Sequence, residues 1–486
     1  MPRQRWANWM RNQTCECEVV TPRSLAELQD AVGAATRAGR RVRATGRGYS
    51  WSPLVPNEGT IVRMHELGKV LHFDEQSSTI EVECGMTIQA LDRFVRRRGL
   101  TLVSPTLFPK PTVGGVVATG SHGTGFGAGN FSDQILEMTI VRADGEVRKV
   151  GCDHPDYRAA AVALGTLGVV YSVKLKLLPQ FNVYVDKRYV PVHYVLEEFD
   201  DLRRSCEYLE MLWFPFQGKM WLYIMNRTNS LPDRPRLLAR VESRLRGWAE
   251  RWAAYRGLPW IARHAPRLTP LVNGIASRFA NEVTASVQTA SDAFHFLKTY
   301  PRNWDLAYAV PDEQAGRAWS EAIGIVHEYA RADLYPVNLA LHCRFIGPST
   351  AWLAPNYARR TCHIEVATLG GTPNWQPFFA EMEERWAAIE GARPHWAKLY
   401  GGGRLYPTGQ LYGPWRDVAA RYARMGDFLA VRERWDPERV FLNSFLEQDV
   451  FRLPAGGPAA PPPEASRPTP TPTPPPRPSP DPGRAP

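Results

Sequence analysis

Three features of the chain predict an α+β protein with two folded parts and an extended tail. Short β patterns interleave with amphipathic helical ones over the first 180 residues. Beyond Pro179 the texture changes, and strand-like stretches alternate with longer helices. From Pro454 onward Pro, Ala, Thr and Ser dominate, and such a segment cannot bury enough surface to offset its ordering entropy.

The elements follow in order. Ser24 to Ala38 reads as a helix, with Ser24 as cap and Glu27 three residues on at capping-box spacing. Arg41 to Ala44 and Thr60 to Met64 read as short strands. Thr79 to Cys84 alternates, and Thr87 to Arg97 is an amphipathic helix that stops before Gly99. Leu136 to Arg142 and Val147 to Val150 make a hairpin across Ala143-Asp144-Gly145. Ala159 to Leu164 reads as helix and Val169 to Leu178 as a long strand. Further on, strands at Met220 to Met225, Trp304 to Val310 and His363 to Ala367 alternate with helices at Glu313 to Ala330 and Gln376 to Ile389. That order suits an antiparallel sheet able to cover a site.

Composition excludes several classes. A net charge of +10 suits nucleic acid, an anionic membrane surface or an anionic cofactor. No helix-turn-helix, zinc finger or RNP pattern accompanies it, so no nucleic-acid partner is expected. Arg236 to Arg267 is amphipathic, which leaves peripheral membrane association open beside the plainer reading of a solvated helical face. No run of about 20 apolar residues predicts a transmembrane helix. The N-terminus lacks an apolar signal core and a Tat Arg-Arg pair, so the expected location is cytoplasmic. Of the seven cysteines, Cys15 and Cys17 are too close for a metal knuckle and no second pair answers them; no metal is expected.

Glycine and small residues concentrate in two segments, Ala44 to Ser52 and Gly114 to Gly125. Such segments turn backbone amides toward a ligand and suit a pyrophosphate. Gly123, Gly125 and Ala128 match the dinucleotide fingerprint G-x-G-x-x-[GA], but that fingerprint needs a strand before it and a helix after it. Here Gly127 to Phe131 leads into a turn and strands, so a Rossmann fold is rejected.

In sequence order these segments resemble the vanillyl-alcohol-oxidase superfamily of FAD enzymes, most of all the branch holding sugar-1,4-lactone oxidases and alditol oxidase. Asn8 to Asn12 is similar to the opening NWAxN, Gly46 to Pro53 to GxGHSxSP, and Gly114 to Gly125 to GGxxATxTHGTG. Leu164 to Val170 resembles LGxLGVV, Pro336 to Arg344 FPxExR, Gly391 to Lys398 GRPHWxK, and Asp436 to Phe445 DPxxxFLNxY. The resemblance covers the chain from Trp6 to about Phe445.

It implies a two-part FAD-binding domain of the PCMH type (1–180, with 401–452 returning to it), an α+β substrate cap (181–400) and a disordered tail (453–486). FAD contacts are expected from Thr45, Gly46, Arg47, Gly48, Tyr49 and Ser50, then Gly114, Gly115, Ala118, Ser121, His122, Gly123 and Gly125. Val169 and Asn443 complete the set, Asn443 reaching toward the isoalloxazine. Lys398 is expected at the flavin N1–C2=O edge, where a cation stabilises the reduced flavin. Arg344 shares that role or clamps substrate oxygens. The implied reaction is hydride loss from a CH–OH group of a sugar lactone or polyol to flavin N5, with O2 as reoxidant and room for it at Gly120 and Ser121.

Two positions depart from the family pattern. Tyr49 stands where the family carries a flavin-tethering histidine, so the FAD is expected to be non-covalent. His342 stands at the glutamate of ExR; it acts as hydroxyl acceptor or general base, or it fills space while His395 does the proton chemistry. A bulkier secondary alcohol, such as a sterol, is the second reading if Leu212 to Phe216 lines the site; a non-oxygen acceptor and a non-catalytic flavin scaffold are others.

Overall fold

The computed structural model describes residues 2–233, 253–279, 284–294, 301–401 and 417–454. The expected tail beyond residue 454 and the part of the Arg-rich segment at 236–252 lie outside them. The described residues form three sheets with helices between and against them, an α+β architecture.

The first sheet runs Gln4–Ala7, Thr14–Val20, Thr60–Arg63, Val42–Thr45 in spatial order. Its last two pairings are parallel and need crossovers: the helix Leu25–Arg37 carries the chain from Thr14–Val20 to Val42–Thr45, and residues 46–59 carry it on to Thr60–Arg63 between them. Ser24 Oγ caps that helix by accepting from the Glu27 amide at 3.2 Å. The Glu27 carboxylate reaches back to the Arg23 amide, one residue further upstream than a strict capping box. Leu28, Val32 and Ala35 form its buried stripe, packed with Val42, Val62, Val169 and Phe441.

The second sheet is antiparallel, ordered Val70–Asp74, Thr79–Glu83, Val169–Pro179, Ile135–Val141, Val147–Gly151, with Leu100–Leu102 beside the end of Val169–Pro179. Its last two strands are the expected hairpin, and Gly145 takes φ 86° in the turn. The helix expected over Ala159 to Leu164 shortens to Tyr157–Ala160. Leu164 and Gly165 both adopt positive φ and swing the chain out toward Val169.

The third sheet is antiparallel throughout. Its order is Ala285–Thr289, Asn182–Pro191, Lys219–Thr228, Tyr208–Trp213, Leu341–Ile346, Thr361–Leu369, Asn303–Pro311, Arg393–Pro394. Strand alternation splits it into two faces. Met211, Leu222, Leu306, Cys343, Ile364 and Val366 enter the main core with the helices Ala315–Arg331 and Trp375–Ala387. The opposite face carries Glu210, His342, Arg344, His363 and Glu365, which are paired across strands.

The C-terminal stretch returns to the first sheet, where the Val42 amide donates to Val440 O at 2.7 Å. Buried Arg43 fastens the junction. Its guanidinium donates to Leu54 O (2.8 Å), Gly165 O (2.9 Å), Leu164 O (2.6 Å) and Phe441 O (2.6 Å). Burial pulls its pKa down to about 10, partly offset by Asp436. Arg43→Met leaves four buried carbonyls unpaired, and one unmet group alone costs about 1–3 kcal/mol. We expect a clear drop in the urea midpoint, only partly restored by Arg43→Lys, whose ammonium lacks the planar fork. A parental midpoint for Arg43→Met would contradict this account of the junction.

Candidate active site

A cleft opens where the three sheets meet. Thr45, Gly46, Arg47, Gly48, Tyr49 and Ser50 line one wall, and Gly114, Gly115, Ala118, Ser121 and His122 another. Gly168 and Val170 line a third, and the polar face of the third sheet brings Arg344, His363 and Glu365. His395 and Lys398 come from the turn after Arg393–Pro394, whose amides at His395 and Leu399 donate to Ala307 O and Asp305 O. Gly46 is required by close approach, since a Cβ there would stand 2.0 Å from Thr112 Oγ1.

Five expected site residues stand outside the cleft wall. A Cβ on Gly123 would lie 2.4 Å from Pro105 O, and Gly125 sits against the Tyr208 ring with φ 134°. The Gly125 amide donates to Phe345 O, so this part of the segment docks the third sheet and not the ligand. Val169 points into the core between Gly168 and Val170. Asn443 faces away: its Nδ2 donates to Pro53 O (2.8 Å) and Pro56 O (2.9 Å), bracing the first glycine loop from behind. His342 stands beside Glu365 on the neighbouring strand and does not line the cleft.

Sequence reasoning missed Glu365 and His363. Glu365 Oε1 is 3.3 Å from His342 Nδ1, and its Oε2 is 3.6 Å from Lys398 Nζ and 4.0 Å from Arg344. His342 Nε2 is 3.2 Å from buried Glu210, and Lys398 also hydrogen-bonds Asp305. His342 and Glu365 are directly opposite in the sheet register. The carboxylate expected on the Arg344 strand thus stands on the neighbouring strand, with the imidazole in its place. The signal was available: His363 and Glu365 are polar residues two apart in Thr361–Leu369, so they share one strand face.

Electrostatics assign the histidines. Burial acts to lower the His342 pKa, but hydrogen bonds and charge from Glu210 and Glu365 override it and lift the value to about 9. At neutral pH His342 is a cation with both N–H groups committed to carboxylates, so it has no lone pair for a substrate proton; the base role expected of it does not fit. Burial pushes the Glu365 carboxyl up, but Lys398, the His342 hydrogen bond and Arg344 hold it well below the ordinary range. Burial and then Lys398 depress His395 to about 3. Its Nδ1 accepts from the Ala397 amide at 3.1 Å, so the neutral ring carries its proton on Nε2 and is a donor.

His363 is different. Burial, with His395 and Arg344, keeps it neutral. It stacks on His122 at 3.7 Å, and among the described residues neither ring nitrogen has a hydrogen-bond partner, although both atoms are buried. A buried polar group without a partner is costly. Beside a cleft, it marks a group reserved for an occupant.

The walls fit FAD. Among the described residues the amides of Arg47, Gly48, Tyr49 and Ser50 donate to no protein acceptor and are available to phosphates. Trp51 and Ser52 stitch this loop to the cationic turn: Trp51 N–H donates to Ala397 O at 2.8 Å, Ser52 Oγ donates to Trp396 O, and Lys398 Nζ lies 4.6 Å from the Trp51 ring centroid.

Comparison with known proteins gives the same reading. Residues 173–449 match the D-arabinono-1,4-lactone oxidase family, and residues 18–151 match an FAD binding domain. The chain is 30% identical over 451 residues to L-gulono-1,4-lactone dehydrogenase of Mycobacterium tuberculosis, covering 91% of this chain and 98% of that protein. It is 26% identical over 460 residues to L-gulonolactone oxidase of Mus musculus, with 91% and 98% covered. A solvent-stable cholesterol oxidase has the same fold at TM-score 0.71 and 20% identity, over 92% of this chain and 97% of that one. With both the flavin half and the cationic half of the cleft matched, this chain is a member of the D-arabinono-1,4-lactone oxidase family of FAD-dependent oxidoreductases.

Proposed function

We propose that the protein oxidises a CH–OH group of a sugar-1,4-lactone, of the D-arabinono or L-gulono type, or of a related polyol, with O2 as final oxidant. The observation that carries this reading is the cluster of Arg344, Lys398, Glu365 and unpartnered His363 at a glycine-walled cleft. FAD, when bound, supplies the two-electron acceptor for the substrate C–H bond. Arg344 is steadied by donating to His122 O at 3.1 Å, and Lys398 by Asp305. Both cations then stand fixed before negative charge develops, which is the arrangement that lowers a barrier most. His395 Nε2–H orients a substrate oxygen, and the His363 lone pair takes the hydroxyl proton.

The FAD is held without a covalent bond. Tyr49 lies between Trp9 (5.2 Å) and Phe108 (5.0 Å), and burial raises its phenol pKa against the pull of Arg47. The phenolate needed as nucleophile is therefore scarce. The sterol reading loses its support, since Trp213 is buried in the main core and no residue of Leu212 to Phe216 lines the cleft.

Anaerobic mixing with a panel of lactones, alditols and sterols tests the assignment, and the lactones are expected to bleach the flavin fastest. Lys398→Met should retain FAD and slow that bleaching by about a hundredfold or more. His363→Gln should slow it by roughly a hundredfold. Parental rates in either variant would remove that residue from the chemistry. Acid precipitation should release the flavin into the supernatant, and colour left in the pellet would contradict the non-covalent assignment.

A further inference from the structure

The helix Thr269–Phe279 is amphipathic the wrong way round. Among its described side chains, Thr269, Asn273 and Ser277, spaced four apart, are the ones it buries. They are seated by hydrogen bonds: Asn273 Nδ2 donates to Pro215 O at 3.4 Å, Ser277 Oγ lies 3.2 Å from the Tyr189 hydroxyl, and Trp221 Nε1 donates to Ser277 O at 2.9 Å. The outward face is the apolar one. Leu271 is 63% exposed and Ile275 51%, at i and i+4, with Leu268 at the helix start and Trp260 on the preceding helix Leu258–His264, 61% exposed. A surface helix on a soluble protein ordinarily does the reverse, and apolar side chains exposed together along one helix face mark a surface that something covers.

Charge identifies the occupant. Between Ala253 and Phe279 the chain carries Arg256, Arg263, Arg267 and Arg278 and no Asp or Glu, with Arg267 paired to Asp333 from outside the segment. Arg256, Arg263 and Arg278 are exposed around the patch. Aliphatic and tryptophan side chains ringed by arginine suit the boundary between acyl chains and anionic headgroups. A second copy fits worse, because a two-fold contact would set arginines of like sign against each other. We propose that this face docks the protein on an anionic lipid bilayer. It does so on the side of the third sheet that carries the site. Trp221, under the helix, shares a cross-strand row with Leu212, His342 and Glu365. The proposal does not depend on which alcohol the cleft oxidises.

Flotation of the FAD-loaded full chain on phosphatidylcholine vesicles, with and without about a third phosphatidylglycerol, tests it. The protein should float with the anionic vesicles and not with phosphatidylcholine alone, and added salt should weaken binding. Leu271→Asp with Ile275→Asp should cut the bound fraction by roughly tenfold or more, with melting temperature and flavin reduction unchanged. Arg263→Glu with Arg278→Glu should remove the preference for anionic lipid. Four results would each overturn the proposal. They are no flotation on either vesicle, parental flotation of the double-Asp variant, a large fall in its melting temperature (the chain covers the patch itself), and a dimeric parent that the variant makes monomeric (a second copy covers it).

Discussion

A buried chain of alternating charge, from Glu210 through His342 to Glu365 and on to Arg344 and Lys398, dictates how the cleft is built. A single charge at such depth costs several kcal/mol, and removing one partner of a buried pair costs about 3–5 kcal/mol. The protein meets this by alternation. His342, Arg344 and Lys398 are set against Glu210, Glu365 and Asp305, so the cluster is balanced overall. Strand register enforces the order, because Leu212, His342 and Glu365 stand in one row across three strands. A slip of one residue would send these side chains into the apolar core on the other face.

The same cluster joins the two halves of the molecule. Arg344 donates to His122 O in the second glycine segment, and the Gly125 amide donates to Phe345 O on the Arg344 strand. On the other side Trp51 and Ser52 bond the Trp396–Ala397 backbone just before Lys398. The loops suited to phosphates and the cations suited to substrate are thus held in one frame. Such pre-organisation lets electrostatic stabilisation act without reorganisation at the moment of reaction.

Much of this was legible in the sequence, and the limits have physical causes. The capped helix after Ser24, the hairpin at Asp144-Gly145 and the alternating strands are local patterns, and local patterns carried them. Both glycine segments declared their chemistry, and the family resemblance, not any local pattern, pointed to Arg344 and Lys398, which the fold brings to one cleft. What stayed hidden depended on pairing across strands. His342 offers a lone pair only if nothing takes it, and two carboxylates from neighbouring strands do so. Asn443 reads as a ligand contact until the proline carbonyls it braces are seen. Glu365 gave only a weak signal, a charge in a strand that is otherwise mostly buried and apolar.

The central claim is that Glu365 restrains a cationic pair whose charge acts on the flavin. The midpoint potential of bound FAD in Glu365→Gln tests it most directly, with Glu210 left in place beside His342. Loss of the carboxylate leaves the field of Arg344 and Lys398 less opposed, so the account predicts a potential above the parent's. An unchanged or lower potential, with FAD occupancy intact, would contradict it.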